Sequence, residues 1–318
     1  MTTSFNAHDF LHPLDLAARQ QLEKVPLLEA AAKKYRSLKA DRQDRAVLLA
    51  NAIRLGPKQI PETYKLLPPI CATFGIPEPE LYVMPGPPNA ATFGHSQVAI
   101  VVYNEMLEAL PEEEIQAVLA HECGHILAGH VLYRQMALAI VGAGEQAGAL
   151  SGKIGMIAGL ATEPLKASLL NWYRKSELTA DRAAAVFMGG PETLQRALFH
   201  LIGVPKWYPG DISYEMFAAQ ADEFEAITTG NKWDRYLARG LEQGATHPNP
   251  VVRIRELQTW AESETFRQLM AISRAALPGP RSACDGCGHE VTADWRFCQR
   301  CGAPIALPAG GNVSGGAA

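Results

Sequence analysis

The sequence predicts an α+β chain: a mainly helical domain that carries a small β-sheet, followed by a compact cysteine module. Three observations point there. Long stretches space their apolar residues three and four apart, the helical period. The stretch "ELYVMPGPPNAATFGHSQVAIVVYNEML" switches to β-branched and aromatic runs. Four of the six cysteines form two CxxC pairs near the C-terminus. At 318 residues the chain has room for one large domain and a small one, given roughly 100–200 residues per domain.

The elements follow in order. Residues 1–60 read as mostly helical. "DLAARQQLEKVPLLEAAAKKYRSL" is rich in helix formers and is broken at Pro26. A Pro-rich patch, "GPKQIPETYKLLPPI", comes next. "LYVM" and "QVAIVVY", bounded by Pro, Gly and Asn, predict two strands joined by a loop. Pro111 suits the first position of a helix, and Glu112, Glu113 and Glu114 favour the positive end of its dipole. Ile115, Val118, Leu119, Ile126 and Leu127 give that helix an apolar face. "LLNWYRKSELTADRAAAVFM" predicts another helix, stopped at Gly189-Gly190-Pro191. Further helices are expected through residues 192–275. Residues 1–277 therefore read as one domain. "ALPGPRSA" ends the periodicity and places a linker at 278–283. The cysteine module takes 284–303, and the Gly/Ala-rich residues 304–318 are expected to be a disordered tail.

Composition narrows the function classes. A hydrophobic fraction of 47% supports a real core. The net charge of −4 and pI near 6.2 give no electrostatic case for nucleic acid. "MTTSFNAHDFLHPLDLAARQ" lacks a basic start followed by an apolar run and does not read as a secretory signal. The paired cysteines suit metal binding in a reducing compartment, so a cytoplasmic location is expected. Residues 136–161 are rich in Ala, Gly, Ile and Leu, but Glu145 and Lys153 interrupt them. No apolar run approaches the ~20 residues of a spanning helix. A buried or interfacial helical hairpin is expected there, which leaves peripheral membrane association open.

The chemistry centres on "VLAHECGHILAGH". His121 and His125 stand four apart, so a helix presents both imidazoles on one face to a single ion. Glu122, one residue on from His121, is placed to touch a water on that ion rather than to ligate it. This is the HExxH logic of two ligands and a general base. A catalytic zinc usually takes three protein ligands, and Glu177 of "SELTAD" can supply the third. Asp181, one turn later, could accept a hydrogen bond from the free ring N–H of a ligand histidine. His130 lies nine residues past His121, on the opposite face of a continued helix, and reads as a non-ligand. Cys123 should face away from the metal, as a small core residue.

"PEEEIQAVLAHECGHILAGH" with "RKSELTADRAA" resembles the HtpX-like and CAAX prenyl protease group of zinc metallopeptidases, which are gluzincins. "LEKVPLLEAAAKKY", "PELYVMPGPPNAATFG" and "THPNPVVRIREL" are similar to further segments of that group, in the same order. The resemblance implies a zincin-type metallopeptidase domain with a catalytic zinc on His121, His125 and Glu177, and Glu122 as the catalytic residue. It implies that "PNAATFG" precedes a substrate-binding edge strand, with Asn89 and Ala90 meeting the substrate backbone. It brings His247 near the site, to hydrogen-bond an oxyanion or to close the site as a fourth ligand. Arg253 would bind substrate or pair with an acidic core residue. Two departures stand out. The flanking spanning helices of the membrane-bound members are not evident, and Cys123 fills a position commonly held by a larger aliphatic residue.

In "CDGCGHEVTADWRFCQRCG", Cys284, Cys287, Cys298 and Cys301 can close a tetrahedral structural zinc site, with glycines after each pair to turn the chain. So small a module depends on its metal to fold and resembles a zinc ribbon. Only Arg296 and Arg300 are basic within it, which favours a protein contact over nucleic acid. The expected activity is zinc-dependent hydrolysis of peptide or unfolded-protein substrates in protein quality control, with one catalytic and one structural zinc. The alternative is a non-catalytic or latent adaptor that keeps the peptidase fold and recruits partners through the ribbon.

Overall fold

A computed structural model describes residues 7–37, 40–94, 97–141, 162–204, 213–229, 249–276, 281–283 and 290–292. Two compact units are present: Ser4–Phe266, and Arg267–Ala318 together with Met1–Thr3.

The first unit opens with helices α1 (Pro13–Glu23), α2 (Leu28–Ser37) and α3 (Ala40–Asn51). His12 caps α1 by accepting the Leu14 N–H at Nδ1, 3.1 Å. Pro26 falls in the break between α1 and α2, where Leu27 takes a left-handed φ of 72°. The Pro-rich patch holds two short helices, α4 (Pro61–Tyr64) and α5 (Leu67–Phe74). Each carries proline in its first turn, where the missing N–H has no intrahelical partner to lose.

Four strands form one sheet: β1 (Ile53–Arg54), β2 (Glu80–Met84), β3 (Ala90–Phe93) and β4 (Ala99–Tyr103), in the order β1-β2-β4-β3. β2 and β4 are parallel; β3 pairs antiparallel with β4 in the register Ala90↔Val102, Thr92↔Ile100. Ile100, Val101 and Val102 are fully buried, as befits an interior strand covered on both faces. The sequence predicts a loop at "AATF" and the edge strand after it. Instead "AATF" is itself the edge strand, and the run after it lies inside the sheet. Four residues without a β-branched run carry little strand signal; pairing with β4 specifies this one.

Helix α6 (Asn104–Ala109) leads to α7 (Glu112–Leu127). Pro111 is the N-cap of α7, with extended φ −69° and ψ 160°, rather than its first helical residue. Glu114 turns inward to His200, 2.5 Å away. From Ala117 to His125 every residue of α7 is buried, because α5, β3 and two later helices, Glu163–Met188 and Glu192–Leu201, enclose it. α8 (Val131–Val141) follows. Helix α9 (Glu163–Met188) starts ahead of the predicted Leu169, with Pro164 in its first turn, and ends at Gly189, φ 80°. It is the central element, touching α1, α7, α8, α10 (Glu192–Leu201) and α12 (Pro250–Ala261). Helix α11 (Tyr214–Thr229) packs on α12. Leu22, Tyr35, Met136, Leu165, Leu169 and Trp172 build one core between α1, α2, α8 and α9.

Helix α13 (Glu264–Ala276) carries the chain into the second unit, where β5 (Arg281–Ala283) pairs antiparallel with β6 (Glu290–Thr292). β5 lies in the stretch read as linker. His247, the four module cysteines, residues 142–161 of the Ala/Gly-rich stretch and the tail at 304–318 lie outside the described residues. Among the described residues, no helix is long and apolar enough to cross a membrane.

Candidate metal centre

The centre is built where α7 crosses α9. Gly124, between the two histidines, makes the crossing close. A Cβ there would stand 2.8 Å from the Ala183 side chain and 3.2 Å from Ala180 Cα, too tight for any residue but glycine. Small residues on α9 complete the contact. The helices thereby bring His121, His125 and Glu177 together, with their ligand atoms all within 4.8 Å of one another. Glu177 Oε2 lies 3.4 Å from His121 Nε2, and Oε1 lies 3.3 Å from His125 Nε2. His125 and Glu177 are fully buried; His121 keeps 5% of its surface.

Each histidine is held from behind. His121 Nδ1 lies 2.9 Å from Asp181 Oδ1. Arg253 of α12 grips that carboxylate with two bonds, Nε to Oδ2 at 2.8 Å and Nη2 to Oδ1 at 2.5 Å. Burial works to raise the Asp181 carboxyl, but Arg253 and His121 hold it below the usual range. Burial also works to lower the His121 pKa. The hydrogen bonds to Asp181 and Glu177 outweigh it and push the metal-free imidazole up to about 9. His125 goes the other way: burial, reinforced by the charge of Arg134, pushes it well below the ordinary value. Of the two roles open to Arg253, its contacts are those of the acidic pairing, and its Nη1 stands 3.6 Å from Glu177.

Glu122 is buried and accepts a 2.6 Å hydrogen bond from Thr92 Oγ1 of β3. Asn89 and Ala90 sit at the start of β3. Asn89 accepts the Tyr103 N–H at its carbonyl, 3.0 Å, and caps the Ala90 N–H with its side chain, 2.8 Å. Cys123 is buried in the core.

Four contributors carried no recognised signal in the sequence. Thr92 lay in the supposed loop. Arg134 of α8 donates to Glu177 Oε1 and, at 2.9 Å, to the Tyr173 hydroxyl. Burial pushes that phenol up to about 12, so it stays protonated. His130 is not on α7 at all. The helix stops before Gly129, whose φ of 69° reverses the chain, and His130 Nδ1 returns to His125 Nδ1 at 3.0 Å. A glycine after the last periodic residue is the mark of such a stop. Beyond His130 stands Asp15, 3.0 Å from its Nε2.

Two imidazoles and one carboxylate are the donor set of a zinc site with a remaining open position. The geometry fits that ion. His125 Nε2 is buried without a hydrogen-bond partner, and an orphaned nitrogen of this kind needs an explanation such as an ion.

Residues 61–261 match the family described as Peptidase family M48. The chain is 30% identical over 272 residues to "Plastoglobule-localized metallopeptidase 48, chloroplastic" of Arabidopsis thaliana, covering 83% of this chain and 76% of that protein. No solved structure matches it. The family match spans α7 and α9 and so contains the whole HExxH–Glu177–Asp181 arrangement: this chain is a member of peptidase family M48.

Proposed function

We propose that the chain is a zinc-dependent endopeptidase whose metal is held by His121, His125 and Glu177. The convergence of those three ligand atoms, with the Glu122 carboxylate one residue from His121, carries this reading. Zinc bound there supplies Lewis acidity to a scissile carbonyl and to water. The protein's own groups do the rest. Glu122 takes the proton of the attacking water and delivers it to the leaving amine. Thr92 fixes the Glu122 carboxylate by donating to Oε2. Asp181 and Arg253 hold His121 in one orientation.

An extended peptide is the substrate that suits the edge of β3. The Tyr103–Asn89 bond sets the alternation of the ladder, so the peptide groups of Ala90 and Thr92 face away from β4. Asn89 takes the Ala90 N–H and Gln135 takes the Thr92 carbonyl, 2.9 Å. The Ala90 carbonyl and Thr92 N–H remain to pair with substrate beside Glu122. His247 is assigned to the oxyanion or to closing the site on sequence resemblance; a His247→Ala enzyme with full activity would exclude both. The reading also gives Cys284, Cys287, Cys298 and Cys301 a structural zinc and a protein-contact role. The β5–β6 hairpin brackets the first pair.

The test is hydrolysis of an unfolded protein by the zinc-loaded chain. Glu122→Gln should lower the rate by roughly 10²–10⁴-fold while retaining zinc. Equal rates in the two proteins would sink the assignment.

A further inference from the structure

We propose that His130 and Asp15 position the metal ligand His125, tying the N-terminal helix α1 to the metal centre. The inference rests on His125 being a ligand, as proposed above.

The contacts form one buried path. His125 Nδ1 meets His130 Nδ1 at 3.0 Å, and His130 Nε2 stands 3.0 Å from Asp15 Oδ2 as an ion-pair contact whose angle is not that of a hydrogen bond. Thr179, on α9 between Glu177 and Asp181, donates to the same Asp15 oxygen at 2.6 Å. The His12 backbone N–H in turn donates to Thr179 Oγ1 at 3.1 Å. His125, His130, Asp15 and Thr179 all have 0% exposure, so no water competes for these bonds. Trp172 packs edge-on against the His130 ring at 5.4 Å and fixes its plane.

The path accommodates one arrangement of protons that suits a metal. Burial works to raise the Asp15 carboxyl, but His130 and Thr179 keep it below the usual range. Asp15 is therefore a carboxylate and can only accept. With both rings neutral and the His130 hydrogen on the nitrogen facing Asp15, His130 Nδ1 keeps a lone pair that accepts from His125 Nδ1–H. The His125 lone pair is then at Nε2, the buried nitrogen that has no hydrogen-bond partner and faces Glu177. In that arrangement one carboxylate sets, two rings away, the tautomer that a metal requires.

A purely structural role explains less. Asp15 Oδ1 is buried without a partner, and a half-satisfied carboxylate is a costly way to pack α1 on α9 when an apolar side chain would serve. Asp15 also lies outside residues 61–261, the segment that matches the family. The N-terminal helix therefore supplies the centre with a group that the matched segment does not contain.

The experiment measures zinc affinity of the full chain by competition with a chromogenic chelator. Cobalt-substituted spectra are recorded alongside, with the His121→Ala chain as background for the cysteine module. Asp15→Asn and His130→Ala should each weaken the helix site by roughly 10–100-fold and shift its cobalt bands. The double variant should be no weaker than His130→Ala alone, because both act on one path. His130→Gln, which offers an acceptor to His125 and a donor to Asp15, should recover most of the affinity and guards against loss through misfolding. Unchanged affinity and unchanged cobalt bands in folded Asp15→Asn and His130→Ala, with only a lower melting temperature, would overturn the proposal. A wild-type chain that takes no metal at the helix site would overturn the metal assignment itself, a distinct failure.

Discussion

His121 and His125 stand one turn apart on α7, yet the groups behind them differ in kind. His121 backs onto an ionised pair, Asp181 with Arg253, and its metal-free imidazole is pushed up to about 9. His125 backs onto a second imidazole, His130, and its pKa is pushed well below the ordinary value by burial and by Arg134. A helix repeat places two nitrogens; it does not make them equivalent. On the His121 side the outer carboxylate comes from α9 itself, one turn past Glu177. On the His125 side it comes from α1, and the Thr179–Asp15 contact spans 164 positions of chain. The two ligands are thus pushed in opposite directions before a metal arrives.

The largest effect expected from breaking this contrast is at Asp181. Asp181→Asn leaves Arg253 buried without its carboxylate, which costs roughly 3–5 kcal/mol of stability. It should also weaken metal binding roughly 10–100-fold. Chemical denaturation and chelator competition measure the two losses, and a variant as stable as wild type would remove the Asp181–Arg253 pair from the account of the site. Next comes Thr92→Val, which keeps the shape of β3 and removes the hydroxyl on Glu122. A hydrogen bond to a charged group contributes about 1.5–3 kcal/mol, so kcat/KM should fall at least about tenfold with zinc content unchanged. Equal kcat/KM would mean that Thr92 only packs.

The smallest effect lies in the ionic network of β2. Arg45 and Arg54 hold Glu80, whose pKa is lowered to about 2, first by the Arg45 hydrogen bond. A depressed carboxyl adds stability above its unfolded value, 4.5, and loses it as pH falls toward 2. The melting temperatures of wild type and Glu80→Gln should therefore differ above pH 4.5 and converge between there and pH 2. These side chains are partly exposed, so the difference should also shrink in salt. A gap that widened with acid would reverse the sign.

Much of this was legible in the sequence because it is local. The i, i+4 spacing on α7 and the Glu177–Asp181 spacing on α9 each put their side chains on one helix face. Their periodicity survives folding because both helices are long and regular. The remainder depends on contacts between distant segments or on chain reversals. His130 could not be placed by extending the helical wheel, since Gly129 ends the helix first. Thr92 sits on a four-residue edge strand whose register only β4 defines. Arg134 meets Glu177 and Tyr173 through the packing of α8 on α9, which no single-helix pattern encodes. Asp15 looks like an ordinary first-turn acid of α1 until α9 covers it.

The most direct measurement is zinc per chain by elemental analysis, on wild type and on His121→Ala prepared identically. The His121→Ala chain should hold one zinc fewer than wild type and remain folded. A His121→Ala chain holding as much zinc as wild type would contradict the metal centre on α7 and α9.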